Sequence, residues 1–226
     1  MKLERAEFGG VKAYYRPGSS DPNTLKEVLE GHVYGRAKIE AGESWLDLGA
    51  NVGAFALDCL RCQASVECYE PDPDCFFVLG KNVPQAKLVN AAVTALKASK
   101  LQLYAFPRQA AQSRNTVFAR HGYKAASEII NIWAGKLQRR KFDGVKLDIE
   151  GSEGPLIDEG LLPQCSKLCM EYHTSVDDDL SHFFSRIEKL KQKFSRVEYP
   201  AEFDRALAKG LKHFKPFFDR MVFAWQ

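Results

Sequence analysis

Residues 45–53 read WLDLGANVG, and this stretch decides the fold. Their order predicts a buried strand containing Asp47, a tight turn at Gly49 and a helix that opens at Gly53. Glycine lets the backbone approach a ligand closely, and a helix N-terminus offers free N–H groups and positive potential. In an open α/β sheet, a cofactor binds in the crevice at the carboxyl ends of the strands. The stretch therefore predicts a nucleotide-like cofactor.

The spacing within this stretch favours S-adenosylmethionine (SAM) over a nicotinamide dinucleotide. A dinucleotide fingerprint reads G-x-G-x-x-G, but Asn51 stands here in place of the middle glycine. Asp47 lies two positions before Gly49, where its charge would repel a pyrophosphate and would suit the cationic amino-acid moiety of SAM.

A second acid follows the next predicted strand. Glu70 comes 21 residues after Gly49, a position from which a carboxylate can accept hydrogen bonds from a ribose diol. Both SAM and NAD carry that diol, so Glu70 supports a cofactor site without choosing the cofactor. Asp72 and Asp74 are the alternatives, and Asp74 is predicted to cap the helix that follows.

Strands and helices alternate along most of the chain, which predicts an α/β fold with a mostly parallel sheet covered by helices on both faces. Predicted strands cover residues 8–15 (a strand or hairpin arm), 65–69, 87–93, 101–106, 144–148, 167–172, 196–199 and 221–225. Predicted helices cover residues 24–30, 54–62, 75–82, 153–159 and 180–194. Residues 107–142 show little pattern except a helix-like apolar set: Ala126, Ile129, Ile130 and Trp133.

Acidic and histidine side chains follow two of the later strands. Asp148 ends one strand, and Glu171 and His173 end the next. If these strands are neighbours, the three side chains converge at one rim of the cleft. A histidine beside a carboxylate is a natural general base for an alcohol. We therefore predict His173 as the base, with Asp148 and Glu171 orienting the base or the acceptor hydroxyl.

Metal binding is conceivable at two places in the sequence. Asp148, Glu150 and Glu171 carry oxygen ligands of the kind that Mg²⁺ accepts, but the sequence gives no octahedral set, so we assign no metal site. Cys59 and Cys62 look like half of a zinc site. The other close pair of cysteines is far along the chain, so reduced, structural thiols are expected instead.

The composition excludes several classes of protein. The 226 residues are 45% hydrophobic and 27% charged, which argues against collagen-like, disordered and disulfide-scaffold proteins. No apolar stretch approaches the roughly 20 residues of a membrane span, and residues 1–5 precede no apolar run. We therefore expect a cytoplasmic protein. The net charge of +3 does not by itself imply nucleic acid.

Five segments together resemble the FkbM family of SAM-dependent methyltransferases: residues 45–53, CYEPD at 68–72, VNAAV at 89–93, KLDIEGSE at 146–153 and EYH at 171–173. The resemblance spans residues 23–199. It implies a seven-stranded Rossmann-like sheet with an antiparallel last strand. It makes residues 41–226 a methyltransferase domain and residues 1–40 a preamble packed on it. The implied contacts to SAM, or to the product S-adenosylhomocysteine, are Asp47, Gly49, Ala50, Asn51, Gly53, Glu70, Pro71, Asp72, Asn90, Ala91 and Asp148.

The family resemblance also implies an activity. Its characterised members are mostly O-methyltransferases of sugars, glycans and polyketide-type products, so methyl transfer to a hydroxyl of a small-molecule or glycan acceptor is expected. Residues 107–142 and 200–226 match the family poorly and are expected to shape the acceptor pocket. Within the first of these regions, residues 113–116 form a short polar motif.

Two other functions stay open. RNA ribose 2′-O-methylation would use the basic stretch at 136–141 and the excess of five positive charges across residues 186–220 as an electrostatic track. No set of stacking aromatic residues accompanies that track. The other alternative is a non-catalytic SAM-fold subunit or a nicotinamide oxidoreductase. The presence of Asp47, Glu70, Asp148 and His173 argues against loss of the site, and the missing G-x-G-x-x-G argues against NAD.

Overall fold

The computed structural model of this chain describes residues 1–105, 115–119, 124–173, 180–209 and 221–226. Its strands are β1 (Glu4–Phe8), β2 (Val11–Tyr15), β3 (Ser44–Leu48), β4 (Ser65–Tyr69), β5 (Lys87–Val89), β6 (Ala92–Thr94), β7 (Lys100–Ala105), β8 (Lys124–Trp133), β9 (Lys141–Leu147), β10 (Gln164–Glu171), β11 (Arg196–Glu198) and β12 (Met221–Trp225). Its helices are α1 (Asp21–Leu29), α2 (Ala54–Arg61), α3 (Pro73–Asn82), α4 (Glu153–Asp158), α5 (Leu180–Lys191) and α6 (Glu202–Ala208).

A seven-stranded sheet in the order β11-β12-β10-β9-β3-β4-β5 forms the centre of the molecule. Its strands pair in parallel except for β12, which runs antiparallel to β10 and β11. The chain order reverses between β3 and β9, so the crevice of this α/β sheet opens at the carboxyl ends of those two strands. The predicted mostly parallel, Rossmann-like sheet with an antiparallel last strand is confirmed.

Two apolar clusters cover the two faces of this sheet. Along β3, Leu46 and Leu48 belong to the cluster that includes α4 and α5, whereas Trp45 belongs to the cluster that includes α1, α2 and α3. Alternate side chains of a strand point to opposite faces, so β3 contributes to both clusters. Burial on both faces explains why the central strands read as nearly continuous apolar runs.

The first forty residues fold as a hairpin and a helix against the second cluster. Strands β1 and β2 pair antiparallel, and Phe8, Leu25 and Leu29 are buried with core residues of α2. Helix α1 begins at Asp21 rather than at residue 24, because Pro22 suits the first turn of a helix. The division of the chain at residue 40 stays a prediction.

The strand predicted over residues 87–93 is wrong as a single element. Strand β5 ends in the central sheet, and β6 belongs to a separate three-stranded sheet in the order β6-β8-β7. Between them, Asn90 Nδ2 donates to the carbonyl oxygens of Glu70 and Pro71 at 2.7 and 3.2 Å. These bonds fix the point at which the chain leaves the central sheet. The edge strand predicted at 101–106 corresponds to β7, and residue 106 lies outside the described ranges.

Residues 124–133 form strand β8, so the helix suggested by their apolar set is wrong. Ile129 is 6% exposed, Ile130 59% and Asn131 6%, a period of two rather than 3.6. The Asn131 side chain accepts from Thr94 Oγ1 at 2.9 Å and donates to two backbone carbonyls at 2.8 Å each. This buried amide fixes β8 in register, a role that an apolar pattern does not reveal.

The described helices are short. The longest, α5, has 12 residues, and in the part of the chain that the structure describes no helix could cross a membrane. All six cysteines are free thiols. Within the same residues, Cys59 and Cys62 join no group of three metal-ligating side chains.

Candidate functional site

The loop between β3 and α2 forms one wall of a cleft at the carboxyl ends of the strands. Gly49 and Gly53 have φ angles of +81° and +90°, the left-handed region that favours glycine. A Cβ atom on Gly49 would lie 1.8 Å from the carbonyl oxygen of Asp148, so a larger residue does not fit there. The N–H groups of Gly49 and Ala50 both donate to Tyr69 O at 3.0 Å, which ties the loop to the end of β4.

The cleft contains about 610 Å³ of empty space when its open mouth is included. Its described lining comes from the ends of β3, β4 and β9 and from the three-stranded sheet. Of the predicted cofactor residues, these line the cleft: Gly49, Asn51, Glu70, Pro71, Ala91 and Asp148. The structure places the remaining ones outside this lining: Asp47, Ala50, Gly53, Asp72 and Asn90.

Glu70 joins two loops at the floor of the cleft. Its two carboxylate oxygens accept from Asn51 N at 2.7 Å and from Asp72 N at 2.8 Å. Burial raises the pKa of Glu70 to about 8, although the two N–H donors act in the opposite direction. Each carboxylate oxygen has a second lone pair, so Glu70 can accept further hydrogen bonds from a ligand in the cleft.

Asp72, and not Asp74 as predicted, caps helix α3. Its Oδ1 accepts from Asp74 N at 2.8 Å and from Cys75 N at 3.0 Å. Pro73 occupies the first turn of the helix, so the cap falls on the residue before it. The other oxygen of Asp72 accepts from Asn115 Nδ2 at 2.5 Å. Asp72 thus connects the start of α3 to Asn115, which lines the cleft.

Lys146 is a functional candidate that the sequence did not single out. Its ammonium is buried 3.2 Å from Asp47 Oδ1 and 3.4 Å from Asp148 Oδ2, and it donates to Gly49 O at 2.6 Å. Asp47 is fully buried, and burial raises its pKa despite the attraction of Lys146. Among the described residues, the cation beside Asp47 is therefore a side chain of β9. Only the pairing of β3 with β9 brings these residues together.

His173 lies among carboxylates at the rim of the cleft. Its Nδ1 is 3.2 Å from Glu153 Oε1, and its Nε2 is 3.6 Å from Glu150 Oε2 and from Glu171 Oε1. Burial alone would lower the pKa of His173, but Glu153 and Glu150 raise it to about 10. The ring then holds a proton at neutral pH, and a protonated imidazole cannot accept another. This arrangement does not favour His173 as the general base.

The structure brings side chains from the ends of two strands together, with Glu150 beside the predicted Asp148, Glu171 and His173. Strands β9 and β10 are parallel neighbours, and Asp148, Glu150 and His173 each place a donor atom within 4.8 Å of the others. Tyr34 from the N-terminal region donates from its hydroxyl to Asp148 Oδ2 at 3.2 Å. Burial and neighbouring charge raise the pKa of Glu171, which adjoins the group, to about 7.

Glu153 holds the turn that presents this group. Its fully buried carboxylate accepts from Ile149 N at 2.7 Å and from Gly151 N at 2.9 Å, and it also contacts His173. In the sequence, Glu153 is the first residue of the predicted helix at 153–159. The signal available in the sequence was that Glu153 lies four residues after Ile149 and two after Gly151, close enough to accept from their N–H groups.

A short segment over residues 115–119 connects the two sides of the cleft. Asn115 bonds to Asp72 on one side, and Thr116 Oγ1 donates to Glu150 O at 2.7 Å on the other. Residues 113 and 114 of the predicted polar motif lie outside the described residues.

Two buried atoms on the cleft wall, Asn115 Oδ1 and Ser152 Oγ, have no hydrogen-bond partner.

Comparisons with known proteins give methyltransferases. No protein-family profile matches the chain, so the resemblance to the FkbM family stays a prediction. The methyltransferase sdnD of Sordaria araneosa is 29% identical over 137 residues, which is 55% of this chain and 51% of that protein. The chain therefore spans about half the length of the curated relative it matches.

Two solved structures illustrate the structural neighbours. Precorrin-6y C5,15-methyltransferase from Geobacter metallireducens GS-15 is 14% identical, with coverage of 89% of each chain and a TM-score of 0.46. The T. thermophilus 16S rRNA N2 G1207 methyltransferase, solved with AdoMet and guanosine, is 14% identical, with coverage of 100% of this chain, 50% of that chain and a TM-score of 0.48. The ligands and acceptors in these names belong to those proteins.

Proposed function

We propose that this chain binds SAM in the cleft and transfers its methyl group to an acceptor hydroxyl. One observation supports the proposal most directly. Asp148, Glu150 and His173 lie beside the cleft that Gly49 helps to line, at the point between β3 and β9 where the chain order of the sheet reverses. The cleft offers a cofactor site, and the adjoining side chains offer partners for hydroxyl groups.

The residues present fit SAM. Asn115 Oδ1 is buried without a partner on the cleft wall, and such an atom favours a ligand that donates to it. Glu70 would accept from the ribose diol, and the backbone of Gly49 would approach the ligand. Asn51 N already donates to Glu70, so a pyrophosphate would meet a carboxylate at this turn. That contact supports SAM over a dinucleotide.

SAM supplies a methyl group on a positively charged sulfur, and transfer forms a carbon–oxygen bond as the carbon–sulfur bond breaks, its electron pair remaining on sulfur. The chain must align the hydroxyl and remove its proton. Asp148 and Glu171 are the carboxylates at the rim, and we assign proton removal to them rather than to His173. Asp47 acts through Lys146, whose ammonium it holds beside Gly49 and Asp148.

A sugar or glycan hydroxyl is the acceptor that we propose. Carboxylates and a protonated imidazole together offer acceptors and a donor for neighbouring hydroxyls, whereas this acidic rim would repel a phosphate backbone. The basic stretch at 136–141 precedes β9 and thus lies at the opposite end of that strand from Asp148. Its Arg140 pairs with Glu67. Both placements weigh against the RNA alternative.

Calorimetry with SAM, S-adenosylhomocysteine and NAD tests the cofactor. Binding of the first two without NAD is expected, and NAD binding with no SAM signal would contradict the proposal.

An acceptor screen with methyl-labelled SAM then compares free sugars, glycans and capped RNA. We expect label on a sugar or glycan hydroxyl. Label found only on RNA would establish the 2′-O-methylation alternative instead. Glu171→Gln should lower turnover, while Glu159→Gln, which changes an exposed acid of the same charge, should leave turnover unchanged.

A further inference from the structure

The rim of the cleft contains three side chains that could coordinate one metal ion. Asp148 and Glu150 follow β9, and His173 follows β10. One ligand atom from each lies within 4.8 Å of the other two. Two carboxylates and one imidazole are a donor set that divalent metals use in proteins. In the described part of the chain, this is the one such group of three.

Several carboxylates of the described residues lie close to this group. Three carboxylates lie 3.2–3.6 Å from the ring nitrogens of His173: Glu150, Glu153 and Glu171. Lys146 is shared between Asp148 and the fully buried Asp47. Carboxylates held this close together repel one another, and a cation bound between Asp148 and Glu150 would lower that cost.

A second observation points independently to a ligand here. Ser152 is 1% exposed, and its hydroxyl has no hydrogen-bond partner. It lies on the wall of the same cleft as Asp148 and Glu150. A buried hydroxyl without a partner is unfavourable in the free protein, and a metal-bound water could satisfy it.

We propose that Asp148, Glu150 and His173 bind a divalent first-row cation, with Mn²⁺ as the best match, and that the metal takes the place of the proton that the His173 ring carries in the free protein. Imidazole suits transition metals better than it suits Mg²⁺ or Ca²⁺, and carboxylates suit Mn²⁺. Three protein ligands leave open positions for water or for acceptor oxygens. Glu171 is then the rim carboxylate that takes the hydroxyl proton, a detail that rests on the proposed function. The cation site itself does not depend on it.

Titration of the full chain with Mn²⁺ alone tests the site. Calorimetry should show one saturable Mn²⁺ site in the wild type. Glu150→Gln and His173→Gln should each weaken Mn²⁺ binding at least tenfold, because each removes a ligand. Glu159→Gln removes an exposed acid at the C-terminal end of α4 and should change the affinity less than twofold. Equal affinity in all four proteins, or no saturable binding by the wild type, would overturn the proposal.

A spectroscopic measurement on the wild type covers the case in which a variant does not fold. Electron spin echo envelope modulation of bound Mn²⁺ should show coupling to nitrogen, and labelling histidine with ¹⁵N should change that signal. Mn²⁺ coordinated only by oxygen would refute the site. SAM binding measured in EDTA separates the two proposals: SAM binding without a Mn²⁺ site rejects the metal alone, and a Mn²⁺ site without SAM binding rejects the cofactor alone.

Discussion

Gly49 is the residue at which the cleft tolerates no side chain. Gly49→Ala would place a methyl group 1.8 Å from Asp148 O at a φ of +81°. Gly42 has a similar φ of +84°, but a Cβ there would meet nothing within 4 Å. We expect Gly42→Ala to lower the free energy of unfolding by about 1–2 kcal/mol, the cost of a left-handed alanine. Gly49→Ala should lose at least twice as much and also lose SAM binding.

Urea denaturation of the two variants makes that comparison. Equal losses would mean that backbone conformation alone decides both positions and that the close approach to Asp148 relaxes easily.

Glu70 gives a pH-dependent prediction at the same scale. Burial raises the pKa of Glu70 to about 8 in the free protein, so the ionised fraction grows as the pH rises towards that value. An ionised carboxylate is the stronger acceptor for a ribose diol. SAM affinity should therefore increase up to about pH 8 and then level off. Glu70→Gln should remove this dependence and weaken SAM about tenfold.

Calorimetry across this pH range measures the effect. Because Glu70 also accepts from Asn51 N and Asp72 N, the variant should lose about 1–3 kcal/mol of apo stability as well. Unchanged SAM affinity with a stability loss would make Glu70 purely structural.

At the scale of elements, one buried ion pair, between Asp47 and Lys146, joins the neighbouring strands β3 and β9. Lys146→Met would leave the fully buried Asp47 without a nearby cation, at a cost of about 3–5 kcal/mol. The double variant Asp47→Asn/Lys146→Met removes both charges and should recover at least half of that loss. A double-mutant cycle by urea denaturation measures the coupling, and additive losses would show that the two charges act independently.

The sequence predicted elements well where one local pattern determined them. The turn at Gly49 and the neighbouring strands followed from glycine spacing and from continuous apolar runs. Strand β8 was missed because its register depends on the polar side chain of Asn131 and on pairing with β6 and β7. An apolar pattern within residues 124–133 shows neither of these. The break at Asn90 was missed because its partners are backbone carbonyls of another loop.

The same distinction applies to the site. Asp148, Glu171 and His173 were predicted because each follows an apolar strand, and the parallel pairing of β9 with β10 then brings them together. Lys146 and Glu153 belong to the same stretch, 146–153, but the sequence predicts no role for either of them. Their partners are Asp47 on β3 and His173 after β10, so their contacts exist only once the sheet order is known. Protonation of His173 likewise depends on carboxylates gathered from several elements.

At the scale of the whole molecule, residues 1–40 belong to the core they cover. Phe8, Leu25 and Leu29 are buried against α2, and each such side chain contributes about 1.5–3 kcal/mol. Folded proteins have only about 5–15 kcal/mol of stability in total. Deleting residues 1–40 should therefore abolish cooperative thermal unfolding, whereas deleting residues 1 and 2 should not. A cooperatively unfolding fragment 41–226 that binds SAM normally would show that the domain begins at residue 41.

The placement of β12 has a consequence for how the molecule is made. This antiparallel strand lies between β10 and β11, both of which precede it in the chain. During translation, a nascent polypeptide ending before residue 221 has a gap in the sheet where β12 belongs, leaving the backbone groups of β10 on that side without their final partner. Residues 221–225 must emerge from the ribosome before the two sides of the sheet can join, so β11 enters the sheet only after β12 has been made.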